Sequence, residues 1–178
     1  MTNTPHTELP PLHIERVEYD DPRARELRAR MDAEMTAVYS LGRDPDEPVE
    51  KAAARDAALA VHPEKVRATL LVVDPDGTAL GHAVLYDRRG EWEVKRVIVD
   101  ASQRGRGIGR LLMAALERVA GEGGAERMIL QTGDRQPDAV ALYEKVGWTP
   151  IPTYEPYVTT IPQSICFEKR LDGGVAGR

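Results

Sequence analysis

Ile108, Leu111, Leu112, Ala115, Leu116 and Val119 fall at i, i+3, i+4, i+7, i+8 and i+11. That spacing predicts an amphipathic helix, ended by "GEGGA". Upstream, "TLLVVDPDGTALGHAVLYDRRGEWEVKRVIVD" reads as three strands, Thr69–Val73, Ala79–Asp87 and Glu91–Val99, joined by tight turns at "PDG" and "RRG". Connections this short allow no crossover, so the strands are antiparallel. Alternation along the third places Glu91, Glu93, Lys95, Val97 and Val99 on one face. Earlier in the chain, "LHIERVEY" alternates like a strand. In "DPRARELRARMDAEMTAVYS", Asp21 is a cap and Pro22 a first helical residue, with Leu27, Met31, Met35 and Val38 as the apolar stripe. The alanine-rich "VEKAAARDAALAVHPEKVR" is helical by propensity and interrupted at Pro63. After the central helix, "ERMILQTG" reads as a strand parallel to its predecessor. "QPDAVALYEKVG" reads as a helix with Pro137 near its start and Gly147 at its C-cap. "WTPI" and "ICFEKRL" are the last strands, around the loop "IPTYEPYVTTIPQS".

The order β-α-α-β-β-β-α-β-α-β-β predicts an α/β (α+β) fold. Its central sheet is mixed and mostly antiparallel, with helices on both faces. One domain is expected over residues 12–171, between a flexible Thr/Pro-rich segment (1–11) and a loose tail (172–178).

Composition narrows the partners. The chain has 178 residues, a net charge of −5 and one cysteine, Cys166. No disulfide can form within it, which suits a reducing compartment and predicts a cytoplasmic protein. No basic stripe suggests nucleic acid, and no apolar run approaches membrane-spanning length. "MTNTPHTELPP" has neither the basic nor the apolar region of a secretory signal. His6, His13, His62 and His82 lack metal-ligand spacing and read as surface or core histidines. Cys166 reads as a buried thiol. There is no G-x-S-x-G elbow, so a hydrolase triad has no support.

The candidate chemistry lies in "DASQRGRGIGRLLM", which opens the central helix. A Walker loop fails because Arg110-Leu111 follows Gly109. A dinucleotide fingerprint fails because Arg110 stands where the third glycine belongs and the preceding strands are hairpins. A wide turn remains, whose amides and helix N-terminus together cradle a diphosphate, with Arg104 and Arg106 at the rim.

Here the chain resembles a family. "QRGRGIGRLL", after a strand ending "VKRVIVD", is similar to the acetyl-CoA loop of the GNAT N-acetyltransferases, Q/R-x-x-G-x-G/A. The stretch "QPDAVALYEKVGW" resembles the same family's N-x-x-A-x-x-L-Y-x-K-x-G-F segment through Ala139, Leu142, Tyr143, Lys145 and Gly147. Gln136 replaces the usual Asn, and Trp148 the usual Phe. The resemblance implies that acetyl-CoA is bound by the main chain of Val97, Ile98 and Val99, by Arg104, Gly105, Arg106, Gly107, Ile108, Gly109 and Arg110, and by Gln136. It implies that the pantetheine arm lies where the strand before the loop splays from the next parallel strand. Tyr143 is the implied acid for the departing thiolate, and Glu93 the implied base, directly or through water. The acceptor region it implies points to Glu34, Tyr39, Tyr154, Glu155 and Tyr157, whose carboxylates and aromatic rings suit a cationic amine. The implied activity is acetyl transfer to the primary amine of a small molecule by direct attack, in a monomer or homodimer. Protein or peptide amines, or a non-catalytic acyl-CoA sensor, are the alternatives, with a nucleotide-phosphate binder as a third.

Overall fold

The computed structural model describes residues 11–171. The segment expected to be flexible at residues 1–11, except Pro11, lies outside these residues, as do His6 and the tail at 172–178. Among the described residues there are seven strands: β1 (His13–Val17), β2 (Val66–Val73), β3 (Ala79–Arg88), β4 (Glu91–Val99), β5 (Arg127–Thr132), β6 (Thr149–Ile151) and β7 (Ile165–Arg170). The α-helices are α1 (Pro22–Ser40), α2 (Val49–Leu59), α3 (Ile108–Glu122), α4 (Pro137–Lys145) and α5 (Tyr157–Thr160). The expected order holds, with α5 added inside what the sequence reads as loop. Four residues are too few to leave a periodic signal.

All seven strands form one sheet in the order β1-β2-β3-β4-β5-β7-β6. Among the described strands only β4 and β5 are parallel, and α3 makes the crossover between them. β2 is buried on both faces, from Ala68 to Val73. Leu70 and Val72 face the α3 side with Leu112, Met113 and Leu116, while Leu71 and Val73 face Ala24 and Leu27 of α1. Each buried Leu, Val or Met among these contributes roughly 1.5–3 kcal/mol. α1 starts as its sequence predicts: the Asp21 carboxylate accepts the Arg23 N–H at 2.9 Å, and Pro22 needs no partner. α2 ends at Leu59, before Pro63, which opens a 3-10 turn; β2 then begins at Val66, three residues ahead of the expected Thr69.

One expectation is corrected. β4 does not keep a single alternation, because its register against β3 shifts between His82–Ile98 and Val84–Lys95. Arg96 and Val97 together oppose Ala83, a β-bulge, and Arg96 has a left-handed φ of +57°. An extra residue swaps faces for everything after it. Glu93 and Lys95 lie on the α1/α2 side, whereas Val97 and Val99 pack against the α3-side core and Ile98 joins the α1 side.

Candidate active site

The site grows from a gap in the sheet. β4 and β5 pair through Trp92–Met128, Glu93–Ile129 and Val94–Leu130, and then part. On its other edge β4 stays paired with β3 as far as Gly81–Val99, and the Asp100 N–H donates to the Leu80 carbonyl at 2.9 Å. Counting back from Asp100, the main-chain groups of Ile98 face β3, while those of Val97 and Val99 face the open side. Of the three expected main-chain contacts, Val97 and Val99 thus face the gap, where the Val99 carbonyl already accepts Arg104, and Ile98 is engaged with His82.

The glycine-rich loop lies at the end of this gap. Gly105 and Gly107 have φ of +82° and +78°, and Gly107 is the N-cap of α3. The first helical bond runs from the Leu111 N–H to the Gly107 carbonyl, leaving the Ile108, Gly109 and Arg110 amides without an intrahelical acceptor. Gly109 has a different role: a Cβ there would meet Leu142 of α4 at 2.9 Å, so its lack of a side chain lets α3 and α4 approach. Arg106 has a buried Nε with no partner, although its other end reaches Gln103. Arg104 donates to Glu34 of α1 at 2.6 Å and to the Val99 carbonyl at 3.3 Å. Arg110 is exposed on the first turn. Free amides, an orphaned guanidinium nitrogen and a helix N-terminus form a donor set that fits a diphosphate.

On the α2 side, Glu93 is fully buried. Its Oε1 accepts the hydroxyls of Tyr154 (2.9 Å) and Tyr157 (2.8 Å), and its Oε2 accepts Arg88 Nε at 2.6 Å. Lys95 Nζ lies 4.0 Å from Oε2 and donates to the Tyr157 hydroxyl and the Ala58 carbonyl. Burial pulls the Lys95 ammonium down to about 8, against the opposing pull of Glu93. Burial first, then the Glu93 charge, push the Tyr154 and Tyr157 phenols far above their usual range, so both remain donors. α2 and α5 close over this cluster through Ala58, Tyr157 and Ile161.

Tyr143 lies on the opposite face of the sheet, in the α3-side core, with its ring tilted against Trp148 and Phe167. Burial alone pushes its phenol above the ordinary value. The candidate acid and base thus flank the sheet from its two sides.

The remaining expected residues divide. Tyr154 and Tyr157 meet at Glu93. Glu155 is exposed and accepts the Thr159 hydroxyl on its own turn. Glu34 is drawn to Arg104. The Tyr39 hydroxyl accepts the Arg135 N–H at 3.2 Å, beside Gly133 and Gln136 at the exit of β5. Gln136 is the N-cap residue of α4 and makes no side-chain cap bond. Sequence reasoning missed Arg88, which reads as a turn residue in "DRRG", and Arg28, which lies on the apolar side of α1. Among the described residues, no helix is long and apolar enough to cross a membrane.

Comparisons with known proteins agree with this geometry. The profile of the acetyltransferase (GNAT) family matches residues 19–148. The chain is 37% identical over 103 residues to the IAA acetyltransferase of Azospirillum brasilense, covering 57% of this chain and 67% of that protein. Two Bacillus subtilis N-acetyltransferases of uncharacterised activity match over only 29% and 54% of their own length. Among solved structures, a Klebsiella pneumoniae protein assigned as an acyl-CoA N-acyltransferase superposes with a TM-score of 0.70 at 28% identity, covering 90% of this chain and 98% of that one. An Elizabethkingia anophelis GNAT acetyltransferase, solved with acetyl-CoA bound, has the same fold: TM-score 0.61, 17% identity, 90% and 98% coverage. The chain belongs to the acetyltransferase (GNAT) family and is an acyltransferase, with acetyl-CoA as the family's co-substrate.

Proposed function

We propose that the protein transfers the acetyl group of acetyl-CoA to the primary amine of a small molecule, by direct attack of the amine on the thioester. The observation that carries this reading is the parting of β4 from β5 beyond Val94, with the main chain of Val97 and Val99 turned into the gap. An extended pantetheine arm would complete the sheet there as an added strand. The amides from Gly105 to Arg110 would hold the diphosphate, with Arg104 and Arg106 at its rim and Gln136 beside it. The Val97 N–H would donate to the thioester oxygen as negative charge develops on it.

Tyr143 gives the departing thiolate a hydrogen bond from the α4 side. Its raised pKa makes complete proton transfer uphill, so the proton moves late. Glu93 has both oxygens engaged and no exposed surface. It therefore takes the amine's proton through the hydroxyl of Tyr154, the partly exposed member of the pair. Holding two reactants in line is itself worth about 7–11 kcal/mol. Cys166 is buried and its thiol raised, which disfavours a covalent acyl-enzyme. A small acceptor is favoured because α2 and α5 cover the Glu93 cluster.

The test is release of free CoA thiol from acetyl-CoA with a panel of small amines and peptides. Turnover with a small amine is expected. Release with peptides alone would replace the acceptor class, and release with none would reduce the site to acyl-CoA binding.

A further inference from the structure

The geometry points to His82 of β3, with Arg28 of α1 behind it, as the positioning device of this site: its Nδ1–H anchors the Arg96 carbonyl and so fixes the bulge that turns the Val97 amide into the gap. This rests on the acetyl-transfer reading above.

The starting point is Arg96. A non-glycine residue at φ +57° is strained and persists where its surroundings hold it in place. Its side chain is tied to Asp32 of α1. Its carbonyl accepts His82 Nδ1 at 2.8 Å. His82 is completely buried, and its second nitrogen, Nε2, lies 3.0 Å from Arg28. A guanidinium can only donate, so Nε2 must be the acceptor and Nδ1 must carry the proton. The tautomer is fixed from outside, and it is the one that holds the carbonyl. Arg28 is itself fixed: its other nitrogen donates to the Tyr19 carbonyl at 2.6 Å, and its guanidinium stacks 3.9 Å over the Tyr19 ring. A chain of three contacts thus runs from the β1–α1 connection to the bulge. Burial holds the imidazole neutral, at about 4, so it presents a single donor to Arg96 across the ordinary pH range. His82 touches neither substrate in this arrangement. It acts through the carbonyl of Arg96, one peptide bond from the Val97 amide.

The experiment reads the thioester itself. Acetyl-CoA labelled at the acetyl carbonyl is bound to the protein, and its carbonyl stretch is recorded by isotope-difference infrared spectroscopy. In the wild type the stretch should move to lower frequency than in water-free solvent, the signature of a hydrogen-bonded carbonyl. His82→Gln moves the side-chain donor from the Nδ1 position to that of Nε2. It should lose the shift while acetyl-CoA affinity stays within about twofold. His82→Asn keeps an N–H near the Nδ1 position and should restore the shift. With an amine that turns over, His82→Gln should lower kcat by roughly a hundredfold, the effect of losing one oxyanion donor, with KM for acetyl-CoA little changed. An unchanged shift in a folded His82→Gln would overturn the proposal. Should that variant not fold, nitrogen NMR of the wild-type imidazole decides: a proton on Nδ1 is required, and a proton on Nε2 would overturn it. Failure of the wild type to bind acetyl-CoA at all would instead remove the acetyl-transfer reading, and this inference with it.

Discussion

Tyr143 and Glu93 carry opposite burdens at the residue scale. The Tyr143 ring is core packing, so Tyr143→Phe should leave stability and acetyl-CoA affinity nearly unchanged while kcat falls by roughly a hundredfold, the ordinary worth of a positioned acid; steady-state kinetics against both substrates would show the split. Glu93 compensates two cations, Arg88 and Lys95, below the surface. Glu93→Gln leaves them unbalanced and should destabilise the fold by about 3–5 kcal/mol in denaturant unfolding, whatever it does to turnover. His82 sets a pH dependence. The unfolded imidazole takes up its proton near 6.5 and the folded one only near 4. The unfolded state therefore binds more protons between those values. The contribution is complete above pH 6.5 and is lost as pH falls toward 4, by about 3 kcal/mol in all. The stability difference between wild type and His82→Asn, followed from pH 7 to 4.5 by denaturant unfolding, should shrink by a comparable amount.

Glycines that look alike in "RGRGIGR" divide at the scale of elements. A side chain at Gly107 meets nothing within 4 Å but must adopt φ +78°. Gly107→Val should therefore disturb the cradle and weaken acetyl-CoA binding by tenfold or more, with little change in packing. Gly109→Val forces a branched side chain against Leu142 of α4 and should lower Tm through the α3–α4 contact. Calorimetric titration and thermal unfolding of both variants distinguish the two roles. The sequence made α3, the β2–β3–β4 hairpins and the loop legible, because each carries a period or a turn residue visible within a dozen positions. It did not reveal the bulge. Arg96 has no feature that marks a left-handed residue, and the face swap after it comes from the opposing strand. The Glu93 cluster was half legible for the same reason. Glu93 and the two tyrosines stood out through the family resemblance, and alternation already set Lys95 beside Glu93, but Arg88 joins them only across strand pairing. The resemblance points to Glu34 and Tyr39 as acceptor residues, and the fold draws them to Arg104 of the loop and to Arg135 at the β5 exit.

At the scale of the whole molecule, three residue pairs join β1–β4 to β5–β7–β6. In mechanical terms the sheet has a seam, crossed by a short ladder, by α3 and by side-chain ties such as those of Tyr154 and Tyr157 to Glu93. At the proposed pantetheine site a ligand would replace the missing rungs, and acetyl-CoA would then act as a structural member as well as a reactant. Without it, the three-strand half should open on its own, below the free energy of global unfolding. With it, the two halves should open as one. Hydrogen exchange of the β5 and β7 amides should slow on adding acetyl-CoA more than that of β2, which is buried on both faces and should exchange only by global unfolding. Equal slowing everywhere would mean that the halves are coupled without it. Selective slowing of β5 and β7 would mean that the enzyme loosens as it discharges its product, so that breathing across the seam sets how fast spent CoA departs.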